Sequence, residues 1–367
     1  MLLLRRAGWL ASLAVMALSS CSGTDTAGPA TALKEVAPTT TVAETTTEAP
    51  APVEAATTIL VEPTTVAPLP PPPPPTTQEP VQVASASPPV PLAAAAQPRV
   101  VGDIAPYAGL GTWVDVYDWS HYRDSTPTVG PDQVDAMAAE GVQTLFLQTA
   151  KNDTPDAIAE RELLDPIIAR AHQRGMKVVA WYLPTLEDVD NDLNRLVASA
   201  SLDVDGLAVD IESRKVADAN DRTARLVDLS NRLRGALPGR AIGAIVMPPV
   251  QMEVVNTNFW PGFPWHAIAP FYDVWQIMGY WTDRKASSGY RDPFTYTDEN
   301  IRRLRNNLAD PAAPVSPVGG VGAMGSDDVE SFLRAAVVNG AIGGSIYDWR
   351  TTRAEAWPSL RKFRAAS

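Results

Sequence analysis

Residues 99–367 predict a (β/α)8 TIM barrel, because apolar runs of strand length recur eight times over about 270 residues and helical spacing fills the intervals between them. The runs are Trp113 to Tyr117, Thr144 to Leu147, Val178 to Tyr182, Leu207 to Ile211, Ile242 to Met247, Val274 to Met278, Val315 to Val321 and Ile342 to Tyr347. Pro317, Gly319 and Gly320 interrupt the seventh, which makes it the weakest. Between the second and third runs, Leu164, Ile167, Ile168 and Ala171 repeat at i, i+3, i+4 and i+7, and Gly175 supplies a stop. Leu226, Leu229 and Leu233 mark a second helix, and Val329, Phe332, Leu333, Ala336 and Val337 a third, with Ser326-Asp327 as its expected N-cap. An open doubly wound sheet is the alternative arrangement of the same pattern.

The fourth run carries the chemistry. Side chains alternate along a strand, so Leu207, Val209 and Ile211 point one way while Ala208, Asp210 and Glu212 point the other. In a barrel, functional groups come from the C-terminal strand ends. Collecting these gives Asp115, Asp118 and Trp119 from the first, Gln148 from the second, Trp181 and Tyr182 from the third, and Asp210 with Glu212 from the fourth. The sixth adds Gln276, Tyr280 and Trp281; the eighth adds Tyr347, Asp348 and Trp349. Carboxylates beside aromatics suit a polysaccharide or oligosaccharide, since indole faces stack on sugar C–H bonds and paired carboxyls serve glycosidic cleavage.

The residues ahead of the barrel are of a different kind. MLLLRR, an apolar run from Ala7 to Leu18 and Ser19-Ser20-Cys21 read as an export signal over residues 1–20. Residues 21–98 form an expected disordered stalk rich in Pro, Thr and Ala, including Pro70 to Pro75. Its seven acids against Lys34 give −6, half of the formal net charge of −12. The acidity is therefore largely a property of the stalk, and the absence of a basic stripe argues against nucleic acid as a partner.

Leu18-Ser19-Ser20-Cys21 resembles the lipobox of bacterial lipoproteins, which implies lipidation of Cys21, a membrane anchor and an extracytoplasmic domain. Val204-Asp205-Gly206-Leu207-Ala208-Val209-Asp210-Ile211-Glu212 resembles the strand-four signature of the family 18 glycoside hydrolases, the chitinase-like barrels. Met278-Gly279-Tyr280 and Gly343-Gly344-Ser345-Ile346-Tyr347-Asp348-Trp349 resemble that family's sixth- and last-strand motifs, in the same order. The resemblance implies Glu212 as general acid, Asp210 orienting the substrate's acetamido group as internal nucleophile, Tyr280 hydrogen-bonding that group, and Trp349 as the subsite floor. Two positions depart from it: Ala208 replaces the middle aspartate, and Trp281 follows the sixth-strand tyrosine. Val114-Asp115-Val116 with Trp119, taken with Asp210 and Glu212, is also similar to the family 25 muramidases, in which Asp115 would supply the charge that Ala208 lacks.

The expected function is thus glycosidic-bond hydrolysis of a cell-wall or environmental polysaccharide by a monomeric, membrane-anchored protein, with catalytic Glu212, Asp210, Asp115 and Tyr280. Asp118, Trp119, Gln148, Tyr182, Gln276, Trp281, Asp348 and Trp349 are expected to contact substrate. Ala208 and Trp281 point to the alternative, a degenerate barrel that binds carbohydrate without cleaving it. A protein-binding scaffold is a further reading. No cofactor and no metal are expected: zinc-type histidine spacing is absent, and Gly319-Gly320-Val321-Gly322 lacks the lysine of a phosphate loop. Asp115, Asp118, Asp210 and Glu212 as cation ligands form a lesser alternative. His121 lies near enough to the first strand exit to reach the site, and His172 is assigned to a solvated helix end. Trp113, Trp275 and Trp357 are assigned to packing.

Overall fold

The computed structural model describes residues 102–321 and 324–366, so the expected export signal, Cys21 and the stalk lie outside the described residues. Eight parallel strands close into a barrel in chain order: β1 (Gly109–Val114), β2 (Thr144–Gln148), β3 (Lys177–Tyr182), β4 (Gly206–Ile211), β5 (Ile242–Val246), β6 (Val274–Gly279), β7 (Val318–Val321) and β8 (Gly343–Tyr347). β8 closes on β1 through Gly109↔Gly343 to Thr112↔Ile346. The expected barrel holds, and the open sheet is excluded. β1 is displaced from its expected position; it starts at Gly109 and ends at Val114, because Asp115 already caps a short helix, Val116–Trp119.

Six long helices lie among the described residues: α1 (Pro131–Ala139), α2 (Arg161–Gln173), α3 (Val189–Ala200), α4 (Ala219–Ala236), α5 (Pro293–Leu308) and α6 (Ser326–Val338). Asp188, Asp218 and Asp292 start α3, α4 and α5 by accepting first-turn backbone N–H groups. α2 buries Leu164, Ile167, Ile168 and Ala171, as the spacing predicts, and Gly175 beyond it takes φ +72°, which a side chain would disfavour. α6 begins one residue earlier than expected: Gly325 is its N-cap, and Ser326 is already helical. After β5 and β8 the chain makes only short helical turns, including Trp265–Ile268 and Trp357–Leu360. None of the described helices is long and apolar enough to cross a membrane.

Period-two alternation divides the core in two. Leu207, Val209 and Ile211 join the layer between barrel and helices, while Trp113, Phe146, Val179, Trp181, Ala208, Ile245 and Met278 fill the barrel interior. Trp113 stacks on Phe146 with centroids 4.4 Å apart and donates from Nε1 to Ser345 Oγ at 2.8 Å. β7 is glycine-bearing for a packing reason: a Cβ on Gly319 would lie 2.6 Å from Ile346 Cδ1 and 2.7 Å from Trp281 Cζ3.

Tyr107 enters the same interior from the N-terminal side. Its hydroxyl lies 2.6 Å from Leu207 O and 3.0 Å from Ala241 O, and accepts from Leu207 N at 3.1 Å, joining the starts of β4 and β5. Tyr107→Phe leaves these buried groups short of a partner and should cost about 1–3 kcal/mol in urea denaturation; an unchanged midpoint would show that the hydroxyl contributes nothing.

Candidate functional site

At the C-terminal mouth the inward residues become polar. Asp210, two residues beyond Ala208, is 6% exposed, and its Oδ1 has no hydrogen-bond partner among the described residues. Burial, and next the charge of Glu212, hold its carboxyl well above the usual range. Glu212 is partly exposed at the strand exit; burial raises its pKa and the Lys151 ammonium opposes that rise. Tyr280, past β6, feels Glu212 and Asp210 as its strongest neighbouring charges, although burial is the main reason its phenol is held protonated. Gln276 on β6 is fully buried, with both amide atoms unpartnered among the described residues.

A second group of acids lies across the mouth. Asp115 Oδ1 accepts from Tyr117 N at 2.8 Å and Oδ2 from Tyr347 Oη at 3.1 Å. Its pKa is pushed up to about 8 by burial, then by Asp118 and Asp348. Asp118 is pushed up to about 6 by burial, with Arg350 opposing through a 2.5 Å ion pair. Asp348 accepts from Thr351 N at 2.9 Å and Thr351 Oγ1 at 2.8 Å. Oxygens of Asp115, Asp118 and Asp348 lie within 4.8 Å of one another. These three acids group together, apart from Asp210 and Glu212, so the four-acid cation set considered above does not form. Tyr347 and Tyr280, 6.0 Å apart between centroids, link the two groups of acids.

Several expected contact residues point elsewhere. Tyr182 follows the outward phase of Val178 and Ala180, packs in the barrel–helix layer and donates to Asp192 Oδ1 at 2.6 Å; Trp181 takes the inward position. Trp119 and Trp281 are 0% and 1% exposed and offer no open face, because each sits in a helical turn that rotates it out of strand phase. Trp119 Nε1 donates to Gln148 O, and Trp281 packs 5.3 Å from Phe332. Gln148 is buried and accepts from Val116 N, holding the first loop. Trp349 is half-buried against Trp357 and donates to Gln133 Oε1 at 3.2 Å, lining a groove with Thr128 and Arg350.

The histidines also differ from expectation. His121 is exposed and pairs with Glu160 at 2.8 Å. His172 bonds Asp205 at 2.9 Å, and Asp205 further accepts from Lys177 and Val178 N at the start of β3. Asp205 therefore sits at the opposite end of β4 from Asp210 and Glu212. Sequence reasoning missed Lys151, three residues past β2, whose field reaches Asp115 and Asp210 and moderates Glu212. It also missed Arg350 as the counter-ion of Asp118.

Neither a protein-family model nor a curated protein sequence matches the chain. Solved structures similar to it include the spore cortex-lytic enzyme SleL of Bacillus cereus, at 11% identity and TM-score 0.52, over 70% of this chain and 74% of that one. The endo-β-1,4-mannanase of Thermotoga petrophila matches at 10% identity and TM-score 0.52, over 71% and 77%. A class V chitinase mutant from Cycas revoluta in complex with (GlcNAc)3 matches at 10% and 0.52, over 70% and 99%. The likeness is one of fold.

The raised pKa of Asp115 couples folding to pH. The folded carboxyl keeps its proton to about pH 8, whereas an unfolded aspartate releases it near about 4. Folding therefore takes up a proton in this window, and stability from this group falls as pH rises from about 4 to 8. Asp115→Asn should flatten the pH dependence of unfolding free energy between about pH 5 and 8 relative to wild type; equal slopes would show that Asp115 is ionised in the fold.

Proposed function

We propose that the chain is a glycoside hydrolase, anchored outside the cytoplasmic membrane by a lipid on Cys21, that cleaves a polymeric sugar with Glu212 as general acid. The observation that carries this reading is the adjacent pair Asp210 and Glu212 at the C-terminal mouth of a closed barrel, both held above the usual carboxylate range by burial. Burial shifts Glu212 toward its protonated form, the state required to donate to a glycosidic oxygen as the bond breaks. In this reading Asp210, whose buried Oδ1 lacks a partner among the described residues, would hydrogen-bond a substrate group such as an acetamido, and Tyr280 would add a phenolic donor. The similar solved barrels, which include an endo-β-1,4-mannanase and a chitinase mutant in complex with (GlcNAc)3, support a glycan as the substrate class.

A binding-only barrel is the second reading. Ala208 fills the inward position below Asp210, so no third acid shares its charge, and Trp119 and Trp281 are closed off as platforms.

Reducing-end release from chitooligosaccharides, peptidoglycan and polysaccharides without N-acetyl groups separates the two. Glu212→Gln should lower kcat by roughly 10²-fold or more on the accepted glycan. Wild-type kcat should decline as pH rises through the raised pKa of Glu212, because the acid form is then lost. Turnover unaffected by Glu212→Gln would sink the hydrolase reading, and binding without turnover would establish the second one.

A further inference from the structure

Lys151 is a cation at the mouth that the proposed reaction does not use and that forms no ion pair among the described residues. Its Nζ is held 5.3 Å from the Tyr117 ring centroid and 5.7 Å from that of Tyr122, an arrangement that steadies an ammonium without neutralising it. Asp210 and Glu212 feel its field without forming an ion pair with it, and burial shifts both toward their neutral forms; the other neighbouring charges are matched. Asp153 takes Arg123 at 2.8 Å and the Tyr122 hydroxyl at 2.6 Å, Glu160 takes His121, and Asp118 takes Arg350. Both oxygens of Asp115 are engaged by Tyr117 N and Tyr347. Lys177 and Lys362 each have a carboxylate partner, whereas half-buried Lys151 forms no ion pair among the described residues. A partly desolvated cation of this kind lacks a counter-ion that a ligand can bring.

We propose that Lys151 determines specificity in the mouth by pairing with a carboxylate carried by the glycan. This rests on the glycan reading given above. A lone ammonium matches a monoanionic carboxylate charge for charge, whereas Arg123 and Arg350, which could help carry the second charge of a phosphate, are both occupied. Two common sugar types that present that group are a muramic acid, through its lactyl ether, and a uronic acid, through its ring carboxyl. Either would place its anion beside Lys151 while the glycosidic oxygen faces Glu212.

The test uses the whole chain carrying Glu212→Gln, so that sugars bind without turnover. Calorimetry would compare N-acetylmuramic-acid-containing oligosaccharides and oligogalacturonates, each beside its carboxyl-reduced form. The carboxylated member of one pair should bind roughly tenfold or more tightly, as a charge-assisted hydrogen bond allows; the pair that shows this identifies the source of the carboxylate. That ratio should collapse toward one in Lys151→Met and largely persist in Lys151→Arg. Equal binding of carboxylated and reduced forms in both pairs, or a preference that survives Lys151→Met, would overturn the inference alone. Failure of all four sugars to bind would also overturn it, and the glycan reading itself would fall only if the chitooligosaccharides and neutral polysaccharides of the wider panel failed to bind as well.

Discussion

Closure of the sheet on itself governs everything else in this domain. With β8 paired to β1 there is no edge, and every inward side chain must be housed in one narrow interior. Trp113, Phe146, Trp181 and Tyr107 fill its lower part with aromatic bulk. The same alternation that points Ala208 into that apolar layer points Asp210 into it one step higher, where water is scarce and no hydrogen-bonding partner meets one carboxyl oxygen. The perturbed acids are thus a product of packing: the barrel raises their pKa values chiefly by desolvation, before any neighbouring charge acts.

The charges at the mouth are arranged around that desolvation. Asp118 is kept tractable by Arg350, and Asp115 by a phenol and a backbone N–H. Asp210 and Glu212 have instead only the distant field of Lys151 to oppose burial. One set of acids is therefore built into the framework, while the other is left with its hydrogen-bonding capacity open. That contrast separates acids tied into the framework of the mouth from acids without a framework partner among the described residues.

Strand order and the barrel itself were legible because apolar runs and helical spacing are properties of the chain at short range. Asp210 and Glu212 were legible for the same reason: they continue the inward phase of β4. Tyr182 could have been assigned outward from the phase of Val178 and Ala180, and proximity to the strand end was a weaker guide than parity. Trp119 and Trp281 were beyond a strand rule, since each lies in a helical turn that resets the direction of the side chain. Lys151 sits in an irregular segment with no periodicity, so its electrostatic reach to Asp210 and Glu212 depends on how the β2 and β4 exits come together on either side of β3.

The close fit between Trp281 and Gly319 bears on how this barrel can change through descent. The indole occupies the volume where a side chain on β7 would stand, and Ile346 closes the same space from β8. Enlarging Gly319 first produces a collision, while shrinking Trp281 first opens a void beneath Phe332. A lineage can cross between the two solutions only through paired substitutions, so this corner of the barrel should drift as a unit while the charged loops around the mouth remain free to vary one residue at a time.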